Sequence, residues 1–220
     1  PTQEFNNYGE NNNNYNNYNS NIDTSYENTA DLSSLLTPDK KIVTFVGTSK
    51  NGTSFLVNNV AEILSLNNVN TAILDLTKNR NAYYIYTKNE EMLRNKANEC
   101  IKKLKDGVAD GIEIHKNLTV YTSAFDVEEI ENVEPIIQTL LTKHNMVLLD
   151  CDFDTPMEYF QKTQEIYLVQ TFDVLTIQPL TAFLRELKSR NVLDQNKLRV
   201  VLNKALKLRG VNDKTIIGGM

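Results

Sequence analysis

Residues 41–64 have the sequence Lys-Ile-Val-Thr-Phe-Val-Gly-Thr-Ser-Lys-Asn-Gly-Thr-Ser-Phe-Leu-Val-Asn-Asn-Val-Ala-Glu-Ile-Leu. An apolar run typical of a buried strand leads into a loop bounded by Gly47 and Gly52, and then into a segment with helical periodicity. Strand, glycine-bounded loop and helix in this order are typical of a phosphate-binding loop. The segment therefore predicts an α/β fold with such a loop at the end of a core strand.

The loop matches the phosphate-binding pattern G-x-x-x-x-G-K-[ST] at Gly47, Gly52 and Ser54, but Thr53 replaces the lysine. The glycines allow backbone N–H groups to converge on an anion, and the helix that follows adds the positive end of its dipole. Ser54 stands where a hydroxyl would bind Mg²⁺. Because Thr53 is uncharged, Lys50 is the candidate to substitute in part, in its own subunit or across a dimer. A glycine-containing turn between a strand and a helix that binds no ligand would fit the same residues equally well.

The composition limits the classes of function. The formal net charge of -5 and the isoelectric point near 5.2 argue against a general nucleic-acid-binding surface. No apolar run reaches the roughly 18 residues that a membrane-spanning helix needs. The two cysteines, Cys100 and Cys151, lie far apart in the sequence and suggest a reducing cytosol. The sequence has no cluster of cysteines and histidines of the kind that binds structural zinc.

The chain divides into two regions by composition. Residues 1–38 contain the run Asn11–Asn14 with interleaved tyrosines and little that could be buried, which predicts a disordered tail or linker. Residues 39–220 are expected to form one domain. A nucleotide-binding domain of this class usually continues with a further helix after residue 210, so we expect either a truncated chain or an unusually short family.

Apolar runs and amphipathic segments alternate from residue 40 onward. Continuous apolar runs such as 146–149 fit strands that are covered on both faces. The alternation predicts a three-layer, P-loop NTPase-like fold with a mostly parallel central sheet flanked by helices. The predicted strands are 41–46, 71–76, 118–122, 146–150, 166–170 and 198–203, and the predicted helices are 54–66, 89–105, 128–143, 156–162 and 179–191, with a short turn near 126.

Acidic residues follow two of the predicted strands. Asp75 could hold a nucleophilic water or a second-shell magnesium water, although a strand-end aspartate often only caps the next turn. The apolar strand that ends in Asp150 has the form of a Walker B element, which holds the metal through water. If a metal binds, Asp150 is the first candidate ligand and Asp152 the second. Asp75 and Asp150 are the candidate catalytic residues.

Asn203 and Lys204 follow the last predicted strand. An amide at such a position can read a purine edge, because it donates and accepts hydrogen bonds. Leu206 excludes the N-K-x-D guanine reader, which leaves adenine as the expected base. The predicted nucleotide-binding residues are therefore Gly47, Thr48, Ser49, Lys50, Asn51, Gly52, Thr53, Ser54, Asn203 and Lys204, and the predicted metal ligands are Ser54, Asp150 and Asp152.

Over residues 40–210, the order of these elements resembles the deviant-Walker P-loop ATPases related to MinD and ParA. Leu74-Asp75-Leu-Thr77 replaces the usual D-x-D of that group. Thr48 replaces the signature lysine expected directly after Gly47, and Thr53 replaces the ordinary one. So atypical a loop looks most like that of the TadZ/CpaE branch, proteins that help to localise pilus or secretion machinery.

The resemblance implies a cytoplasmic homodimer that binds ATP and Mg²⁺, hydrolyses ATP weakly or slowly, and serves as an assembly or localisation factor. Its partners would belong to a secretion, pilus or conjugation apparatus, with recruitment to the membrane or the cell pole through them. One alternative is a nucleotide-free pseudo-ATPase scaffold. Another is a partition ATPase or a regulator resembling bacterial tyrosine kinases.

Overall fold

The computed structural model describes residues 42–124, 133–194 and 196–204. Strands and helices alternate along these residues, as the sequence predicts. The strands are β1 (Ile42–Val46), β2 (Thr71–Asp75), β3 (Ile112–His115), β4 (Leu118–Tyr121), β5 (Met146–Cys151), β6 (Glu165–Gln170) and β7 (Leu198–Leu202), and the helices are α1 (Thr53–Leu66), α2 (Asn81–Thr87), α3 (Glu91–Lys105), α4 (Val133–Lys143), α5 (Met157–Lys162) and α6 (Ile177–Ser189).

The strands form one sheet in the order β3-β4-β2-β5-β1-β6-β7. All neighbouring pairs are parallel except β3 and β4, which are antiparallel. The strand that leads into the glycine-bounded loop, β1, therefore lies inside the sheet between β5 and β6. Because parallel strands end at the same edge, the segments after β1, β2, β5, β6 and β7 meet at the carboxyl edge, where open α/β sheets bind ligands.

The alternation of side chains along the strands divides the core into two layers. In β1, Ile42 and Val46 face one cluster of buried side chains, and Val43 and Phe45 face the other. Buried residues of α3, α4, α5 and α6 complete the first cluster, and those of α1 complete the second. Both faces of the sheet are thus covered, which explains the apolar strand runs and confirms the predicted three-layer, mostly parallel architecture. None of the helices in the described ranges is long and apolar enough to span a bilayer.

All six predicted strands are present with small changes at their ends. The helices shift by one or two residues, except that the predicted helix 128–143 is described only from Val133, and the predicted turn near 126 lies outside the described residues. Three elements were not predicted: α2, β3 and a 3₁₀ turn at Val174–Thr176. Each is too short for a clear periodicity, and the aromatic and β-branched residues of α2 have weak helical propensity.

A buried histidine links the start of β5 to its neighbours. His144 is 3% exposed. Its Nδ1 donates to Asn70 Oδ1 at 2.9 Å, and its Nε2 accepts from the Tyr121 hydroxyl at 2.8 Å. Burial, followed by the nearby Lys143 charge, lowers the pKa of His144 from 6.5 to about 4. The ring is therefore neutral in the folded protein at neutral pH.

We expect this histidine to make folding stability depend on pH. Above pH 6.5 it is neutral in both states, but below that value the unfolded chain takes up a proton that the folded chain resists until about pH 4. The free energy of unfolding should therefore decrease as the pH is lowered through this window, by up to about 3 kcal/mol. Urea unfolding of the wild type and of His144→Gln between pH 4 and pH 7.5 measures it. Identical pH slopes for the two proteins would contradict the prediction.

Candidate nucleotide-binding site

The glycine-bounded loop lies between β1 and α1 and has little spare space inside it. Lys50 and Gly52 adopt left-handed backbone conformations, with φ of 69° and 88°. A Cβ atom at Gly47 would lie 2.5 Å from Thr53 Oγ1 and 2.6 Å from the Val169 carbonyl oxygen. Only glycine therefore fits at the first position. The left-handed backbone before α1 matches the requirements of an anion-binding loop.

The Asn51 side chain anchors the middle of the loop to β6. Its Nδ2 donates to the Val169 carbonyl at 3.2 Å, and its Oδ1 accepts from the Thr171 hydroxyl at 3.2 Å. The residue is 2% exposed, so these bonds form inside the protein. Asn51 is thus a structural anchor of the loop, and its side-chain amide is already engaged by protein atoms.

Asn203 and Lys204 hold the loop from the end of β7. Asn203 Nδ2 donates to the Asn51 carbonyl at 2.7 Å, and its Oδ1 accepts from the Lys204 N–H at 3.0 Å. Lys204 Nζ donates to the Lys50 carbonyl at 2.7 Å. A Cβ atom at Gly52 would lie 2.3 Å from Asn203 Nδ2, so only glycine at this position lets the Asn203 amide come so close to the loop. Both predicted residues reach the site, where they hold the loop; base reading by Asn203 stays a prediction.

The two threonines at the positions of the missing lysines carry unpaired hydroxyl groups. Thr48 Oγ1 and Thr53 Oγ1 are buried and have no hydrogen-bond partner among the described residues. An unpaired buried hydroxyl costs about 1–3 kcal/mol unless a ligand or water pairs with it. The threonines therefore offer neutral donors where lysines would offer charge.

A cleft of about 560 Å³ opens between this loop and the segment after β2. The two sides touch at both ends of the loop. Asn79 Nδ2 lies 3.5 Å from Ser49 Oγ, and Asn81 Nδ2 donates to Ser54 Oγ at 3.2 Å. The cleft is lined by Gly47, Thr48, Ser49, Lys50, Gly52, Thr53, Ser54, Phe55, Thr77, Lys78, Asn79, Asn81, Cys151, Asp152, Phe153, Asp154 and Pro179.

Asp150 lies beneath the start of α1 and is 2% exposed. Its Oδ1 has no hydrogen-bond partner among the described residues, and the nearby Ser54 hydroxyl favours the charged form of the carboxyl group. Burial, and then the charge of Asp75 in the adjacent strand position, raises the pKa of Asp150 to about 8. A buried carboxyl with an unpaired oxygen beside a serine hydroxyl fits Mg²⁺, which binds one or two such groups together with phosphates. The described residues contain no cluster of three or more His, Cys, Asp or Glu that could hold a metal unaided.

Asp75 is fully buried, and its carboxylate is occupied by protein donors. Its Oδ1 accepts from the Thr77 N–H at 3.1 Å and the Thr77 hydroxyl at 2.7 Å. Its Oδ2 accepts from the Ala82 N–H and the Thr122 hydroxyl, both at 3.1 Å. A catalytic water would therefore have to displace one of these four bonds, so the structure gives Asp75 a clear organising role, and catalysis stays a prediction.

Asp152 is likewise engaged in the loop after β5. Its Oδ2 accepts from the Lys78 N–H at 2.7 Å, and its Oδ1 accepts from the Asp154 N–H at 3.0 Å and the Thr155 hydroxyl at 3.3 Å. These bonds tie the loop after β5 to the segment after β2. Asp152 lines the cleft. Binding a metal directly would compete with its present hydrogen bonds, so its role as a metal ligand stays a prediction.

The sequence did not single out Lys78 and Asn81 as site residues. Both line the cleft because the segment after β2 turns toward the glycine-bounded loop. Their position shortly after Asp75 in the sequence could have identified them as candidates, since residues that follow parallel strands gather at the carboxyl edge of the sheet. That signal does not show which of these side chains face the loop.

We expect the Asn203 amide to stabilise both the loop and the domain. Asn203→Ala removes the donor to the buried Asn51 carbonyl and should lower the free energy of unfolding by about 1–3 kcal/mol. Urea unfolding measures the change. Asn196→Ala, an exposed residue before the same strand, is the control and should change stability by about 0.5 kcal/mol at most. Equal stabilities of the two variants would contradict the assigned role.

No protein-family model and no curated protein matches the sequence. Solved structures do match the fold. A Borrelia burgdorferi B31 protein assigned to plasmid partition and bound to AMPPNP has a TM-score of 0.62 at 18% identity, over 81% of each chain. A ParA family ATPase from Chlorobium tepidum has a TM-score of 0.60 at 16% identity, also over 81% of each chain. The kinase domain of the Escherichia coli tyrosine kinase ETK has a TM-score of 0.53 at 13% identity, over 82% of this chain and 73% of its own.

These likenesses concern the fold, since every identity is below 20%. The TadZ/CpaE branch stays a prediction. The chain has the α/β fold of the ParA/MinD-type P-loop ATPases.

Proposed function

We propose that the chain is a ParA/MinD-like ATP-binding protein that acts as an assembly or localisation factor for a secretion, pilus or conjugation machine. The observation that carries the nucleotide site is the buried Asp150 carboxyl, which has an unpaired oxygen and lies close to the Ser54 hydroxyl at the start of α1. A carboxyl in this position needs a cation to be stable in its charged form. The neighbour from Borrelia burgdorferi, bound to AMPPNP, supports a nucleotide as the source of the phosphates.

Three groups of residues would contribute to nucleotide binding. The backbone N–H groups of the loop and the hydroxyls of Thr48 and Thr53 would donate to phosphate oxygens. Ser54 and Asp150 would hold Mg²⁺, which neutralises phosphate charge. Asn203 would keep the loop in its binding conformation.

The same residues favour slow hydrolysis. Neither loop threonine carries charge, so the transition state would lose the stabilisation that a lysine supplies. Asp75, which could otherwise orient an attacking water, has both oxygens occupied by protein donors. The nucleotide would therefore act mainly as a bound signal for partner binding.

We expect ATP to bind in a magnesium-dependent manner through Asp150. Asp150→Asn keeps the size of the side chain but removes its charge, and it should abolish the gain in affinity that Mg²⁺ produces. Isothermal titration calorimetry with ATP and ADP, with and without Mg²⁺, measures this. Glu113→Gln, an exposed carboxyl on the edge strand β3, is the matched control and should behave as the wild type.

The same binding experiment tests the second candidate function, a scaffold that binds no nucleotide. The close approach of Thr53 to Gly47 favours that function, because the threonine fills space inside the loop. A folded wild-type protein that binds no ATP at millimolar concentration would establish the scaffold. Magnesium-dependent binding that survives in Asp150→Asn would instead exclude the metal assignment.

We also expect ATP to control association of two copies of the chain. Light scattering of the wild type with Mg²⁺ and a non-hydrolysable ATP analogue should show a dimer, and the protein without nucleotide should show a monomer. Asp150→Asn should stay monomeric under both conditions. The same mass with and without nucleotide would contradict a nucleotide-controlled dimer.

A further inference from the structure

The proposed site lacks a positive charge at both loop positions where related loops carry lysine. A nucleotide triphosphate carries several negative charges, and charge-assisted hydrogen bonds are the strong ones. Among the described residues, the basic side chains that line the cleft are those of Lys50 and Lys78. The question is which of them faces the phosphates.

The backbone of Lys78 is held in one place by the surrounding turn. The Arg80 N–H donates to the Thr77 carbonyl at 3.3 Å, which closes the turn, and Thr77 is bonded twice to the buried Asp75 carboxylate. The Lys78 N–H itself donates to Asp152 Oδ2 at 2.7 Å. The lysine therefore starts from a fixed position on the cleft wall.

That position lies opposite the glycine-bounded loop. The next residue, Asn79, approaches Ser49 at the start of the loop, and Asn81 bonds Ser54 at its end. Lys78 thus belongs to the segment that faces the loop along its length. A side chain from this wall can enter the same cleft that the loop N–H groups border.

One partner of the Lys78 ammonium group is a carboxylate at the solvent-exposed surface. Its Nζ lies 2.6 Å from Asp154 Oδ2, and the two side chains are 68% and 64% exposed. An ion pair so exposed to solvent contributes little to stability. Exchanging the carboxylate for a phosphate oxygen would therefore cost little and would gain a stronger, less solvated contact.

Lys50 is placed less favourably. It also borders a neighbouring cavity together with Thr171 and Asp173, and its carbonyl is bound by Lys204. Its side chain is exposed and leaves the loop from a left-handed residue. Lys50 thus borders two cavities, and the second of them contains the acidic Asp173.

We propose that Lys78 supplies the phosphate-binding charge that the loop lacks, by exchanging Asp154 for the outer phosphates of the bound nucleotide. The inference rests on the proposed function, because it requires a nucleotide in the cleft. Asp154 then acts as a placeholder that keeps the ammonium group near the cleft in the empty site.

Calorimetric titration with ATP, ADP and AMP in the presence of Mg²⁺ tests the lysine. Lys78→Ala should weaken ATP binding on the order of 10-fold to 100-fold, the expected effect of losing a charged hydrogen bond. The loss should be smaller for ADP and absent for AMP, because only the outer phosphates are involved. Lys50→Ala should have a smaller effect on ATP, and Lys102→Ala on the remote helix α3 is the charge-matched control.

The placeholder role is tested with the same titration. Asp154→Asn removes the competing carboxylate and should strengthen ATP binding several-fold in the wild-type background. In the Lys78→Ala background the same change should have a smaller effect, because the carboxylate then has no ammonium to compete for. Glu113→Gln is the control for the loss of one negative charge. Thermal unfolding of each variant verifies that it is folded.

The outcomes separate the two proposals. Wild-type ATP binding that is unchanged in Lys78→Ala would overturn the role of Lys78 and leave the proposed function standing. A larger loss in Lys50→Ala than in Lys78→Ala would assign the charge to Lys50 and likewise overturn the inference. A folded wild type without ATP binding would overturn both.

Discussion

The buried Asp75 carboxylate organises the carboxyl edge of the sheet. Its four hydrogen bonds join the turn after β2, the start of α2 and the residue after β4. Burial raises the pKa of Asp75, and a fully buried carboxyl group is tolerable only when its hydrogen bonds are satisfied, so any change in this region disturbs several bonds together. The turn that carries Lys78 and the contacts of Asn81 with the loop both depend on this arrangement.

Asp75 and Asp150 make an unequal pair of buried acids in adjacent strand positions. Burial raises the pKa of both, but Asp75 has all of its hydrogen bonds from the protein, whereas Asp150 keeps an unpaired oxygen. Polar groups that are buried without partners are rare in folded proteins and often mark sites where a ligand supplies the missing contact. The difference in hydrogen bonding supports a structural role for Asp75 and the proposed binding role for Asp150, which their similar positions in the sequence do not distinguish.

The glycine-bounded loop, which lacks the lysines of a phosphate-binding loop, is held in its conformation by side chains from other segments. Asn203 and Lys204 bond loop carbonyls, and Asn51 ties the loop to β6. The loop conformation thus persists without the charge that usually acts on the phosphates. In the proposed function, such a site would keep nucleotide affinity through backbone donors, a metal ion and a cation from the opposite wall, and it would lose most of its rate of hydrolysis.

The sequence by itself determined the layered, mostly parallel fold and the placement of the loop, Asp150 and Asn203 after core strands, because apolar runs and strand–helix alternation are local patterns. It did not determine that Asn203 braces the loop. It also left open that Asp75 is saturated and that Lys78 faces the cleft. These facts depend on contacts between segments far apart in sequence, such as Asn203 with Asn51 and Lys78 with Asp152. The tertiary structure decided them, because the direction of a side chain beyond a strand end is set by the neighbouring segments and not by its own sequence.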